Sequence, residues 1–242
     1  MASEQDRFQR WMTAGADLDR EAIPAATVIL LRDTAAGVET LMLRRNSKLA
    51  FGGMWVFPGG RVDPADHEGA VDADAAQTFA AARRAAVREA FEESGLIVAV
   101  DDLVALSHWT PPPQTPKRFA TWFFVAPAPE GAVTIDDGEI HEHMWLSPVN
   151  ALAQRDRREI ELAPPTWVTL HMLADAETVA QALANASASD PLIFVTRIGA
   201  TDDGLAAMWA GDAGYKTGDA NAPGPRHRLV MTSGTWSYDR DF

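Results

Sequence analysis

The sequence predicts a mixed α/β fold (α+β in its ordering), with a helical and β extension at the C-terminal end. Three observations carry this. Apolar runs of strand length recur from Ala25 onward, separated by clusters of Gly, Pro, Asp and Asn. One long Ala-rich segment, Ala75 to Ser94, interrupts them with helical composition and stops at Gly95, the residue type that accepts the left-handed conformation past a helix end. No repeat, low-complexity stretch or linker divides residues 25–242, so that span reads as a single domain behind a polar lead-in, residues 1–24.

The elements follow in order. The lead-in is acidic and carries one short helix with Phe8 and Trp11. Ala26–Arg32 is an apolar strand, Asp33–Gly37 supplies turn residues, and Val38–Arg45 returns as the second strand of a hairpin. Phe51–Phe57 is a further strand that stops at Pro58-Gly59-Gly60, because proline cannot donate to a ladder and glycine weakens one. Beyond Gly95, strands are expected over Leu96–Val100, Leu103–Ser107, Phe119–Ala126 and Met144–Leu146. Ser147 is the expected N-cap, and Pro148 the first position, of the next helix. The extension, from about residue 153, is helical to 188 with a break at Pro164-Pro165. Leu192–Ile198 and Arg226–Thr232 then read as strands.

Composition excludes several classes. Hydrophobic residues make up 47% and charged residues 23%, enough apolar material for a core and too much for a disordered chain. Lys and Arg number 21 against 34 Asp and Glu, a net charge of −13 that disfavours nucleic acid and anionic membrane as partners. It leaves room for a small phosphorylated substrate, since carboxylates bridged by a divalent cation reverse the local sign. No apolar run approaches a membrane span, and no secretory signal is visible at the start, so a cytoplasmic location is the default expectation. With no cysteine, disulfides, thiolate metal sites and cysteine nucleophiles are absent.

The informative segment is Arg88-Glu89-Ala90-Phe91-Glu92-Glu93-Ser94-Gly95-Leu96. On a helix, Glu89, Glu92 and Glu93 stand at i, i+3 and i+4, so the three carboxylates share one side. Like charges at those spacings repel by roughly 0.2–0.5 kcal/mol per pair, and the macrodipole disfavours anions in the last turn. A solvated acidic helix end is the plain reading. A hard divalent cation, which takes carboxylate oxygens together with substrate phosphates, is the reading that gives the arrangement a use. Arg88 reaches Glu92 at i+4 and can fix its rotamer.

This segment matches the second half of the Nudix box, R-E-U-x-E-E-x-G-U with U aliphatic, and Phe57-Pro58-Gly59-Gly60 resembles the glycine-rich start of that box. The chain therefore resembles the Nudix hydrolases, and the resemblance implies their fold, a mixed β-sheet sandwiched between helices. The chain departs in two ways. The common spacing puts the box's first glycine 14 residues before the arginine, whereas Gly60 precedes Arg88 by 28, so about 14 residues are extra. The box's earlier glutamate, eight residues before the arginine, falls on Ala80; Asp72 and Asp74 are nearby substitutes. A lengthened box resembles the branch that includes the peroxisomal coenzyme A diphosphatases, as do residues 54–63, 108–111, 117–124, 139–148 and 162–166. A second coenzyme A group wants an arginine eight residues before the phenylalanine; Leu49 stands there, beside Lys48.

The resemblance implies hydrolysis of a nucleoside diphosphate linked to another moiety. Carried over by position, Glu89, Glu92 and Glu93, with a backbone carbonyl at Gly60, hold Mg2+ or Mn2+, and Arg88 with Glu92 and Glu93 form the catalytic centre. Glu139 and Glu142 are the later-loop candidates for general base, flanked by His141 and His143. Arg61 and Arg118 are candidate phosphate contacts, as are Arg44 and Arg45, and Trp109 or Trp122 a candidate stacking surface, although most tryptophans are core. Coenzyme A or acyl-coenzyme A is the first-choice substrate; NADH- or ADP-ribose-type dinucleotides are the alternative within the class. A non-catalytic Nudix ligand sensor is the alternative outside it, disfavoured by three intact glutamates. An isomerase on this fold relies on a cysteine that the chain lacks. The helical segment 153–188 either caps the site or forms a homodimer contact.

Overall fold

The computed structural model describes residues 21–46, 53–68, 74–115, 117–135, 138–202 and 204–242. The lead-in helix with Phe8 and Trp11, the pair Lys48 and Leu49, the start of the strand expected from Phe51, and Asp72 lie outside them.

Two compact units share the chain. The larger comprises Ile23–His108 and Ala120–Leu192. It opens with the hairpin β1 (Ile23–Thr34) and β2 (Gly37–Arg45), antiparallel in the register Leu31↔Thr40 to Thr34↔Gly37. Gly37, at φ +112°, occupies a turn conformation that an L side chain rarely adopts. Then come β3 (Trp55–Val56), β4 (Gly59–Arg61), a 3-10 turn (Pro64–His67), α1 (Ala75–Ser94), β5 (Val104–Thr110), β6 (Phe119–Pro127) and β7 (Ile140–Leu146). Three helices follow: α2 (Pro148–Asp156), α3 (Pro164–Leu173) and α4 (Val179–Ser187). The sheet runs β3-β2-β1-β6-β5, with β4 paired to β1 and β7 to β2.

Both faces of the hairpin are buried, and the alternation of side chains assigns them. Ala26, Val28 and Leu30 of β1, with Leu41 and Leu43 of β2, pack against Ala82, Ala85, Ala86 and Ala90 of α1. The alanine stripe lets the helix lie close to the strands. Ile29, Leu31 and Met42 are fully buried on the opposite face, where α4 meets β1 and α2 meets β2. Each such Leu or Ile contributes about 1.5–3 kcal/mol by leaving water. The sheet is thus sandwiched between helices, as the resemblance implies.

Two local expectations are corrected. Pro58 ends β3, yet Gly59–Arg61 resumes pairing, with β1, in the register Ala25↔Arg61 to Thr27↔Gly59. A Cβ on Gly59 would sit 2.5 Å from the Ala26 carbonyl oxygen, so glycine is what permits the approach. Leu96–Val100 is not a strand; it crosses under α1 unpaired and runs into a 3-10 turn, Val100–Asp102. Its alternation of buried Leu96 and Val98 with exposed Ile97 imitates a strand without a partner. The helices up to Ser187 fall in the larger unit. Asp33 Oδ1 of β1 accepts the backbone N–H of Val179 at 2.9 Å and fixes the start of α4.

The smaller unit holds Trp109–Phe119 and Ile193–Phe242. Here β8 (Leu192–Val195) runs against the end of β5, and the Thr196 N–H donates to the Thr110 carbonyl at 2.9 Å. A separate antiparallel sheet follows in the order β12-β11-β10-β9, from β9 (Arg197–Thr201), β10 (Gly204–Met208), β11 (His227–Thr232) and β12 (Trp236–Arg240). Sequence patterning misses β10 and β12 because one is Gly/Ala-rich and the other charged. The loop between β10 and β11 is held by a buried pair, Arg228 Nη2 to Asp212 Oδ1 at 2.6 Å. Asp212 also accepts the N–H groups of Gly214 and His227. Among the described residues no helix is long and apolar enough to cross a membrane.

Candidate active site

The last two turns of α1 face β4, the 3-10 turn and the junction of β2 with β7. Asp74 starts this helix as its N-cap, exchanging hydrogen bonds with Gln77, and Gly95, at φ +71°, ends it. That framing sets the rotation which aims Glu89 and Glu93 at the glycine pair of β4.

Glu93 is 4% exposed. Its Oε2 accepts the Gly59 N–H at 2.9 Å, while Oε1 is buried, accepts no hydrogen bond and lies 3.8 Å from Arg45 Nη1. Burial pushes this carboxyl up to about 8; the Gly59 N–H and Arg45 oppose the shift, and Glu89 and Glu139 add to it. The Glu89 carboxylate lies directly on Gly60, where a Cβ would overlap it. Its pKa is also raised, first by burial and then, against the pull of Arg88, by Glu92 and Glu139.

Arg88 is the hub. It donates to Glu89 Oε1 and Glu92 Oε2, each at 2.9 Å, to the Arg61 carbonyl at 2.9 Å, and to both oxygens of Asp66 at 3.2 and 3.0 Å. These bonds, Asp66 first, hold the guanidinium charge more firmly than usual against the opposing effect of burial. Asp66 is buried in the 3-10 turn and accepts the Asp63 N–H at 2.8 Å as well.

Asp66 is the residue that sequence reading missed. Counted back from the arginine, the box glutamate falls on Ala80. Counted forward from the glycine, the same glutamate falls six residues past Gly60, which is Asp66. The hydrogen bonds decide for Asp66, since Ala80 has no group to offer. Asp74 is spent as a helix cap. The extra residues of the lengthened box therefore lie after Asp66, and the acid is shortened by one methylene rather than lost. Counting from both conserved ends of the motif would have exposed it.

The other expected residues divide. Glu139 joins the cluster: its Oε2 accepts from Arg45 Nη2 at 3.1 Å, and its charge is felt at Glu89 and Glu93. Glu142 pairs instead with Arg44 at 3.2 Å, both exposed. Arg61 extends into solvent beside Asp63, at 3.4 Å, and contributes its carbonyl to Arg88. Arg118, in the smaller unit, donates to the Pro111 carbonyl at 3.3 Å. Trp109 is corrected from stacking surface to core: it is 3% exposed, stacks on Phe194 at 3.9 Å between centroids and meets Trp209 edge-on. Trp122 is half-buried against His108 and Phe79.

Three glutamates on one ligand set were expected; the structure turns Glu92 outward onto Arg88. Among the described residues no three acidic or histidine side chains converge on one point. What does converge is a pair of carboxylates, buried Glu93 with one oxygen unpartnered among the described residues and half-buried Glu89, against glycines that leave room. Hard, anionic oxygen donors whose burial makes their charge costly suit Mg2+ or Mn2+.

The Nudix-domain family model matches residues 22–166, which takes in every residue of this cluster. The Caenorhabditis elegans protein "Putative nudix hydrolase 7" is 27% identical over 190 residues, 63% of this chain and 61% of that protein, so the chain spans less than two thirds of this curated relative. The crystal structure of a NUDIX hydrolase from Alicyclobacillus acidocaldarius superposes with a TM-score of 0.61 at 23% identity. It covers 69% of this chain and 97% of its own, and shows the same fold. With the box residues gathered as its fold requires, the chain belongs to the Nudix family.

Proposed function

We propose that this protein is a divalent-metal-dependent Nudix diphosphatase. Its substrate is a small nucleoside-diphosphate-linked molecule, coenzyme A or acyl-coenzyme A first and an NADH- or ADP-ribose-type dinucleotide as the alternative. The observation that carries the reaction class is the pair of half-buried Glu89 and buried Glu93 against Gly59 and Gly60. The preference for coenzyme A rests on the lengthened box and on the matching segments from 54–63 to 162–166.

Glu89 and Glu93 hold the cation, Mg2+ or Mn2+, with the Gly60 carbonyl as a further oxygen. When bound, it neutralises charge on the diphosphate and lowers the pKa of a water nearby. Arg88, fixed by Asp66, keeps Glu89 and Glu92 in place. Glu139, exposed at the mouth of the cluster, accepts the proton of the attacking water, and Arg61 meets phosphate oxygens from the rim.

The test is a parallel screen with Mg2+ and with Mn2+, products identified by mass. Coenzyme A, acetyl-coenzyme A, NADH, ADP-ribose and nucleoside triphosphates are offered. Release of 4′-phosphopantetheine and 3′,5′-ADP is the expected result. Cleavage of a dinucleotide instead keeps the chemistry and replaces the substrate. Glu93→Gln is expected to lower kcat by about two orders of magnitude or more with folding retained; near-normal turnover in that variant overturns the metal assignment.

A further inference from the structure

Two arginines touch these two carboxylates, and they are held very differently. Arg88 is locked on every side, by both oxygens of Asp66, by Glu89, by Glu92 and by the Arg61 carbonyl. Arg45 makes one hydrogen bond to a carboxylate, Nη2 to Glu139 at 3.1 Å, and stands 3.8 Å from Glu93 Oε1. That second distance is an electrostatic contact, too long for a hydrogen bond. Arg45 Nε and Glu93 Oε1 are both buried and both unpartnered. A guanidinium and a carboxylate that belonged to each other would close a two-pronged pair and satisfy those atoms. This pair stays open although each member is desolvated.

We infer that Arg45 is a displaceable internal counter-ion of the cation site. In the metal-free protein it divides its charge between Glu93 and Glu139, and it withdraws onto Glu139 when a divalent cation is held by Glu89 and Glu93. The inference rests on the metal-dependent reading and names a residue that tunes it. Arg45 closes β2 where the β2–β7 register shifts, between Arg44 and Arg45, and its N–H and carbonyl are hydrogen-bonded to Met54 and Gly53, so the movement is one of the side chain alone. Glu139 is exposed, so its ion pair with Arg45 survives in water at little desolvation cost. Electrostatics supplies the direction, because a divalent cation at Glu93 attracts that carboxylate more strongly than a guanidinium does and repels Arg45.

The experiment is calorimetric titration of the full chain with Mn2+. Wild type is compared with Arg45→Gln, Glu139→Gln and the double variant, with melting in EDTA as the folding control. Arg45→Gln is expected to lower the Kd for Mn2+ by about tenfold, since a competing cation is removed. Glu139→Gln is expected to raise it, and to do so less in the Arg45→Gln background, because Glu139 acts partly through Arg45 and partly by its own charge on Glu89 and Glu93. Binding in the wild type with an equal or higher Kd in Arg45→Gln overturns this inference alone. No binding in the wild type overturns the metal-dependent reading and this inference with it. A second readout needs no neutral variant: the Arg45 Nε–Hε resonance of the wild type, identified by its loss in Arg45→Lys, is expected to move on saturation with Mg2+. A resonance that stays put overturns the displacement.

Discussion

A buried carboxylate that grips an arginine through both oxygens fixes the plane of the guanidinium as well as its position. Asp66 does this to Arg88, and Arg88 in turn sets the rotamers of Glu89 and Glu92. Asp66→Ala is therefore expected to lower kcat/KM by about 10–100-fold, the usual effect of losing a group that orients metal ligands. It is expected to remove about 1–3 kcal/mol of stability by leaving Arg88 short of partners. Adding Ala80→Glu to that variant restores nothing, because residue 80 lies two turns back along α1. Steady-state kinetics and melting curves of the two variants check both statements, and recovery of rate by Ala80→Glu would return the box acid to position 80. Glu89, Glu93 and Arg88 are legible in the sequence because one helix carries them at fixed spacing. Asp66 is not, because its partner stands 22 residues away across an insertion.

At the scale of elements, the extent of α1, its alanine richness and its stop at Gly95 are read from the sequence because they are local properties, while the structure adds its cap, Asp74. β4 and the 96–100 segment are misread, because pairing is not local. Gly59–Arg61 finds a partner in β1, and Leu96–Val100 has the alternation of a strand with nothing beside it. The insertion has an element-scale consequence too. The acid that holds Arg88, Asp66, precedes the about 14 extra residues, and the helix cap, Asp74, stands among them. Deleting residues 69–73 thus spares both. The expected outcome is an altered order of kcat/KM among the diphosphates of the screen, with kcat on the best of them changed by less than about tenfold. An equal loss on all substrates would show instead that the segment supports the chemistry.

For the molecule as a whole, one buried carboxylate, Glu93, and one half-buried, Glu89, in a chain of net charge −13 make stability depend on pH in an unusual sense. Glu93 titrates near 8 in the folded chain against 4.5 unfolded. Between those values the unfolded state binds fewer protons, so metal-free stability falls as pH rises, by up to about 1.4 kcal/mol per pH unit, and Glu89 adds in the same direction. Below 4.5 both states are protonated and the effect is gone. Half-buried His108 and buried His227, lowered chiefly by desolvation, act oppositely and stabilise as pH rises. Melting in EDTA from pH 5 to pH 8 is therefore read as the difference between wild type and Glu93→Gln. That difference is expected to favour the variant increasingly with pH, and Mn2+ at pH 8 to reverse it. Parallel profiles would mean that Glu93 is ionised throughout.

The sequence by itself determined the sheet-and-helix class, the long helix and its two ends, and the helical row of acids. Each follows from composition and periodicity within about twenty residues. Tertiary structure decided the rest. It turned Glu92 out onto Arg88 and buried Glu93 against Gly59, because the β4–β1 pairing brings the glycines to the helix. It also chose Asp66 over Ala80 and placed Arg45 between Glu93 and Glu139, because those contacts join segments whose separation in sequence says nothing about their distance in space.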